Sequence, residues 1–442
     1  MPKIVSRIII AVLAGLVVLG GGTVAMSAVG VFAPAAATLD PASYVAPPPT
    51  PVPPEPGLEA PDEAIAPDSA QIQSQLDSLS RQGLGTVSYL VIDLAGEKVA
   101  GADENSGRTP ASSWKVLTSM AALSAYGPDH RFTTTVVSSP TGIVLVGGGD
   151  PYLTRSSATA IGQGKIQDLV DQTVQGLKDS GLTSVTLGYD DSLFAGPQWN
   201  PVWPDDYGAD VSPISALSID PNGWASANTS ADAAGIFRDL LSDQGISVTA
   251  VRSEKAAGDA NVLASIDSLP LGQIVQQVIS TSYNFGAEVL LRHVSVAAGG
   301  DGSPSSGASA LSGYLSSQGL WADGMSVSDG SGLSNGNIVS PAILAQAVRT
   351  AYGNPLLADV LAGMPVAGVD GTLARRFDDP DEVQARGVVH AKTGTLDYVR
   401  TLTGFAQTSS GAVVFFSFIL NNLPDDSAGL NWLDEAAAVL AS

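Results

Sequence analysis

The most strand-like stretches of this chain lie near its two ends, and that placement limits how it can close. "TVSYLVIDLAG", beginning at Thr86, has the β-branched and aromatic content of a buried strand, and "EKVAGAD" behind it reads as its hairpin partner. Three further runs, "GVVHAKTG", "YVRTLTGFAQ" and "AVVFFSFILN", follow one another between Gly387 and Asn421, and "AGLNWLDEAAAVLA" reads as a closing helix. The expectation is one antiparallel sheet shared by both ends of the chain, with the middle inserted between them.

That middle, roughly Phe132 to Asp267, alternates. A strand "GIVLVGGG" is followed by a helix near Gly164 to Asp179, a strand "SVTLGYD", a helix near Ala231 to Asp243 and a strand "ISVTAV". Such α/β alternation suits a separate subdomain. The Gly147-Gly148-Gly149 run lacks the Gly-Lys-Ser/Thr of a phosphate loop and reads as a tight turn. A chain of 442 residues is also long for one core, so two or three units are expected.

The first forty residues address the chain. Lys3 and Arg7 precede "IIIAVLAGLVVLGGGTVAMSAVGVFAPAAA", and no charge occurs between Arg7 and Asp40. About 20 apolar residues suffice to cross a bilayer, and basic residues ahead of them keep the N-terminus cytoplasmic. The segment is therefore an uncleaved anchor or an export signal ending at a small-residue site such as Ala35-Ala36-Ala37. Either places the rest of the chain outside the cytoplasm. "PASYVAPPPTPVPPEPG" then reads as an extended, semi-rigid spacer. The expected layout is 1–38 signal or anchor, 39–68 linker, 69–131 with 268–442 the main domain, and 132–267 an inserted accessory subdomain.

With 20 basic against 43 acidic residues the net charge is −23, which argues against nucleic acid as a partner. Zero cysteines exclude disulfides, thiolate catalysis and cysteine-ligated zinc. The three histidines, His130, His293 and His390, are not accompanied by a Gly-x-Ser-x-Gly elbow, so a Ser-His-Asp hydrolase has little support. No His-x-x-x-His pair offers a metal site.

Ser112-Ser113-Trp114-Lys115 contains the chain's only Ser-x-x-Lys, in a chain with 7 lysines. On a helix, residues three apart share a face, so the Ser112 hydroxyl and the Lys115 amine can meet. A serine hydroxyl needs a base to become a useful nucleophile. A lysine amine titrates near ~10.4, and lowering it to about 7 costs roughly 4 kcal/mol against the charged form. Burial in a cleft or a second cation would do this. Taken alone, the stretch reads as a polar helix start.

The second cation is Lys392. Lys392-Thr393-Gly394 offers a charge, a hydroxyl and a close backbone approach on one of the C-terminal strands, an edge suited to a substrate carboxylate. Between the two motifs the chain has two Ser-x-Asn triplets. Ser226-Ala227-Asn228 falls in a polar loop of the insert and reads as a chance match. Ser282-Tyr283-Asn284 falls between the apolar-periodic segments "LGQIVQQVIS" and "FGAEVLLRHV", at an interhelical loop.

Ser-x-x-Lys, Ser-x-Asn and Lys-Thr-Gly in this order mark active-site-serine penicillin-binding proteins and β-lactamases. With "PASSWKVLT", "LVGGGDPYL", "STSYNFGAEVLLR", "SDGSGLS", "PVAGVDGTLARRF" and "AKTGTLDYVRTLTGFA", the chain resembles the D-Ala-D-Ala carboxypeptidase/endopeptidase family, the class C low-molecular-mass penicillin-binding proteins. The resemblance runs from about Thr109 to Phe405. It implies an α+β, penicillin-binding-protein/β-lactamase-like transpeptidase fold, an antiparallel sheet flanked by helices with an inserted α/β subdomain. The stretch between Lys115 and Ser282 is shorter than is usual in the family, so one of two accessory subdomains is expected to be reduced or missing.

The resemblance also implies roles. Ser112 would be acylated, with Lys115 as its base and Ser282 relaying a proton to the leaving D-alanine. Asn284 would bind the substrate amide and Lys115. Lys392, Thr393 and Thr395 would bind the terminal carboxylate beside Gly394, and the N–H groups of Ser112 and Thr395 would hold the oxyanion. Asp329 and Ser331 of "VSDGSGLSNGN" would be cleft residues, though a Gly/Ser-rich turn explains them equally well.

No cofactor is implied. The expected partners are peptidoglycan stem peptides, β-lactams as inhibitors and, through the N-terminus, the membrane. Two rivals remain. A class A type β-lactamase needs a glutamate between the first two motifs, and the only one there, Glu254, lies in no fitting motif. A silent wall-binding module is disfavoured by intact motifs.

Overall fold

The computed structural model describes residues 66–155, 160, 162–221 and 227–442. The apolar N-terminal segment, nearly all of the proline-rich spacer and Ser226 lie outside them. Among the described residues no helix is long and apolar enough to cross a membrane.

The two ends of the chain do share a sheet. Strands β1 (Thr86–Asp93), β2 (Lys98–Ala102), β8 (Val389–Leu396), β9 (Val399–Gln407) and β10 (Val413–Asn421) lie in the order β2-β1-β10-β9-β8. All neighbours are antiparallel, and β1 meets β10 from Thr86 opposite Asn421 to Asp93 opposite Val414. A two-stranded hairpin is marginal alone, which is why β1 and β2 need the chain's other end.

Both faces of this sheet are covered, so its central strands are apolar almost throughout. Leu90, Ile92, Phe415 and Ile419 pack against helices α2 (Lys115–Tyr126), α5 (Leu271–Ser280), α6 (Asn284–Ala297) and α8 (Pro341–Tyr352). Tyr89, Val91, Phe416 and Phe418 face the other way, onto α1 (Ser69–Ser78) and α10 (Asp426–Leu440), where Trp432 closes an aromatic cluster. The remaining helices are α3 (Ile166–Asp179), α4 (Thr229–Asp243), α7 (Pro304–Ser317) and α9 (Ala358–Ala362).

Residues 133–267 supply a second sheet, β6 (Ser247–Ser253), β5 (Ser184–Asp190), β4 (Gly142–Val146), β3 (Thr133–Ser139) and β7 (Val262–Asp267), in that order. β4, β5 and β6 are parallel and joined through α3 and α4, while β3 is antiparallel to β4 and β7. Strands β3 and β7 do not figure in the sequence reading; β3 is mostly threonine and serine, and β7 is six residues long with only Ala264 buried. The glycine run after β4 is a close approach: a Cβ on Gly148 would lie 2.1 Å from the Thr133 carbonyl oxygen. Asn228 of the Ser226-Ala227-Asn228 triplet caps α4, accepting from the Ala231 N–H.

Candidate active site

Ser112 is not yet on the α-helix. Ala111–Trp114 form a 3-10 turn that runs into α2 at Lys115, so the serines stand at the entry of the helix. Ala111 holds φ at 47°, a left-handed conformation uncommon for a residue with a Cβ. This turn crosses the edge strand β8 at Gly394, where a Cβ would lie 2.1 Å from Thr401 Oγ1 and 2.8 Å from the Pro110 carbonyl. Only a glycine lets the turn sit so close to the strand.

The paired serines are separated by their surroundings. Ser112 is half-buried, and its Oγ accepts from Lys115 Nζ at 2.9 Å. Ser113 is fully buried; its hydroxyl bonds Thr401 Oγ1 at 2.8 Å, and Thr401 donates on to the Pro110 carbonyl. Ser113 is thus part of the joint between the turn and the sheet.

Lys115 is completely buried at the base of the cleft. Besides Ser112 it donates to Asn284 Oδ1 at 2.7 Å and to the Ser331 carbonyl at 2.7 Å. The Asn284 amide is oriented by its Nδ2 donating to the Asp210 carbonyl at 3.0 Å, so Oδ1 faces the lysine. Burial drives the Lys115 pKa down to about 7, against the opposing pull of the Asp329 and Glu288 carboxylates. A neutral amine has two N–H groups and one lone pair. Asn284 Oδ1 and the Ser331 carbonyl can only accept, so they take the two N–H groups and the lone pair is left for the Ser112 hydroxyl.

Ser282 sits in the turn between α5 and α6 with φ at 60°, a second strained residue beside the cleft. Its Oγ accepts from Lys392 Nζ at 2.9 Å; Lys392 also donates to the Thr393 carbonyl at 2.7 Å. Lys392 is fully buried, and burial together with the nearby Lys115 holds its pKa well below the ordinary lysine value. The sequence motifs therefore meet as two buried lysines, each holding one serine hydroxyl.

β8 is an edge strand, and its outer side faces the cleft. The Ala391 N–H is given outward to the Pro365 carbonyl, so by alternation the N–H groups of Thr393 and Thr395 point to the same open side. Thr393 Oγ1 lies 2.8 Å from Thr372 Oγ1, and the Thr395 side chain is exposed. The arrangement brings together two serine hydroxyls, two buried lysine amines and the outward N–H groups of an edge strand.

Asp329 and Ser331 lie beneath this cleft rather than in it. Both are fully buried. Asp329 accepts from Trp203 Nε1, the Gly332 and Ser334 N–H groups and Asn337 Nδ2, which makes it the organiser of its loop. Ser331 contributes its carbonyl. That contribution, and those of Glu288, Thr372 and Thr401, escape sequence reasoning; Glu288 alone carried a signal, as a lone acid in an apolar helix. The histidines stand elsewhere: His390 stacks on Phe405, His293 on Phe132, and His130 packs on Tyr126. Glu254 pairs with Arg252 at the end of β6.

The chain matches the D-Ala-D-Ala carboxypeptidase 3 (S13) family over residues 70–224 and 221–442. It is 33% identical over 402 residues to a carboxypeptidase of Mycobacterium tuberculosis, covering 86% of this chain and 85% of that one. It is 28% identical over 461 residues to a D-alanyl-D-alanine carboxypeptidase of an Actinomadura species, covering 81% of each. In fold it is similar to penicillin binding protein 4 from Haemophilus influenzae, with a TM-score of 0.70 at 21% identity, over 85% of this chain and 98% of that one.

Proposed function

This chain belongs to the D-Ala-D-Ala carboxypeptidase 3 (S13) family, and from that membership we propose how its residues divide the reaction. The protein is a serine-type D-alanyl-D-alanine carboxypeptidase/endopeptidase, and it acts on peptidoglycan outside the cytoplasm. In our reading Ser112 is the acylated residue and Lys115 its base. The observation that carries this is the Lys115 amine, buried, brought to a pKa of about 7 and bonded to Ser112 Oγ at 2.9 Å.

The substrate's terminal carboxylate binds Lys392 and the hydroxyls of Thr393 and Thr395 beside Gly394, and Asn284 hydrogen-bonds the substrate amide. The Ser112 Oγ–H proton passes to Lys115 Nζ as Oγ adds to the carbonyl carbon of the penultimate D-alanine. The resulting oxyanion lies between the N–H groups of Ser112 and Thr395, an arrangement that lowers the barrier by stabilising charge where it develops. The C–N bond then breaks, with Ser282 relaying to the leaving amine the proton that Lys115 took up, so that Lys115 is again neutral, and water releases the acyl group.

A β-lactam mimics the scissile amide and acylates the same oxygen, but its ring-opened ester keeps the leaving amine in place. With no glutamate in a deacylating position the drug inhibits the enzyme. Residues 69–131 and 268–442 form the catalytic part and 132–267 an accessory subdomain, while the apolar N-terminal segment anchors the chain or directs its export. Labelling with fluorescent penicillin tests the assignment: Ser112→Ala is expected to abolish the label and Ser113→Ala to retain it. Label that persists without Ser112 overturns the reading.

A further inference from the structure

Helix α6 buries two charged side chains, Glu288 and Arg292, each only 2% exposed. A carboxylate taken out of water costs several kcal/mol unless it is bonded where it lands, so what Glu288 bonds is informative. Its Oε1 accepts the N–H of Gly330 at 2.9 Å and the N–H of Ser331 at 2.7 Å.

Those bonds act on the peptide planes beneath Lys115. The plane joining Gly330 to Ser331 is pinned at both edges, its N–H by Glu288 and its carbonyl by Thr118 Oγ1 of α2 at 2.7 Å. The next plane presents the Ser331 carbonyl to Lys115 Nζ and gives its Gly332 N–H to Asp329 Oδ1 at 2.8 Å. Gly332 has no room to yield, since a Cβ there would lie 1.9 Å from the Ala111 carbonyl oxygen. Asn284, one turn before Glu288 on α6, supplies the other acceptor of Lys115. One helix therefore fixes both carbonyl acceptors of the amine, the first directly and the second through the loop.

We propose that Glu288 is a positioning residue for acylation: by holding the Gly330–Ser331 peptide it keeps the Ser331 carbonyl on one N–H of neutral Lys115, so that the lone pair stays aimed at Ser112. This rests on the reading of Lys115 as the base. The charged groups facing Glu288 are Lys115 from α2, Asp329 from the loop and Arg292 one turn along α6. Arg292 is itself engaged by the carbonyls of Ala195, Pro197 and Gly302. Burial and Asp329 push the Glu288 carboxyl up to about 8. Its accepting oxygen is available in either protonation state, and a glutamine would offer the same atom.

The test is the rate of acylation of the full chain by fluorescent penicillin, followed against pH, with thermal melting alongside. Glu288→Ala is expected to slow acylation at pH 7 by about 100-fold, the scale of an ångström's misplacement. Water admitted under the loop returns the Lys115 pKa toward its ordinary value, so the deficit shrinks as pH rises. Glu288→Gln is expected to restore the rate to within about 5-fold. Thr118→Val, which removes the other pin without disturbing the helix, should move the acid limb upward in the same sense and decides the matter if the alanine variant does not melt cooperatively.

Parent-like rates in both Glu288→Ala and Thr118→Val, equal losses in the alanine and glutamine variants, or a profile scaled down equally at every pH would overturn the proposal. Lys115→Ala separates the two readings. If it is inactive while Glu288→Ala is normal, only the positioning role falls; if it acylates normally, the reading of Lys115 falls first.

Discussion

Lys392 Nζ donates to the Ser282 hydroxyl at 2.9 Å, tying the edge strand β8 to the α5–α6 turn 110 residues earlier in the chain. Because the lysine donates, the serine's own proton is free to point into the cleft, where a leaving amine would need it. The ammonium is nevertheless disfavoured, by burial first and by Lys115 second. A carboxylate docking beside Lys392 reverses that balance, since an opposite charge stabilises the protonated form. Binding of a D-Ala-D-Ala peptide to the Ser112→Ala protein at pH 9 is therefore expected to take up a proton. Calorimetry in buffers of different ionisation enthalpy measures it; an enthalpy independent of buffer would count against a partly neutral Lys392.

Lys115 makes a prediction about rate. With its pKa near 7, the amine carries a proton below that value and cannot take another from Ser112. The acylation rate should thus fall tenfold per pH unit on the acid side, bend near pH 7 and level above it. An arginine at this position stays charged throughout, so Lys115→Arg should lose at least about 10³-fold with no recovery at high pH. A rate that is flat from pH 5 to 9 in the parent would exclude Lys115 as the titrating base.

The parts of this site that the sequence exposes are those in which one residue type has one task at a fixed spacing. Ser112 and Lys115 lie three apart and so share a helical face; Lys392-Thr393-Gly394 lies on a strand whose apolar neighbours announce it. The sheet was legible because β1 and β10 are covered on both faces and read as largely apolar runs, interrupted inside only by Ser88 and Ser417. What the sequence hides is backbone. The Ser331 carbonyl that holds Lys115 could belong to any residue, and its direction is set by Glu288, Thr118 and Asp329 from three segments. Helix α7 is serine-rich and buries little beyond Leu311 and Leu315, so its pattern is faint, and it rests on a Ser303 cap with Pro304 behind it.

Gly394 tests how tightly the 3-10 turn must sit on β8. A methyl group there meets Thr401 Oγ1 and the Pro110 carbonyl at once, and neither is the loose end of a long side chain. Gly394→Ala should push Pro110 and Ala111 off the strand and carry Ser112 with them. We expect acylation to fall by about 100-fold and stability by about 1–3 kcal/mol, with circular dichroism unchanged. An alanine variant that acylates at the parent rate would show that the turn has room to move.

Ser113 and Ser112 should respond in opposite ways to the loss of a hydroxyl. The Ser113 Oγ is buried and shares a bond with Thr401, which holds the Pro110 carbonyl. Ser113→Ala leaves Thr401 its second partner, so the cost is that of one buried hydrogen bond, about 1 kcal/mol. The Ser112 hydroxyl is half-exposed and its partner is an amine with two other acceptors. Removing it leaves no buried group without a partner, so Ser112→Ala should melt at or above the parent temperature while losing acylation entirely. Urea denaturation of the two variants beside their penicillin labelling gives both quantities. A Ser113→Ala protein that is as stable as the parent but unlabelled would exchange the roles assigned to the two serines.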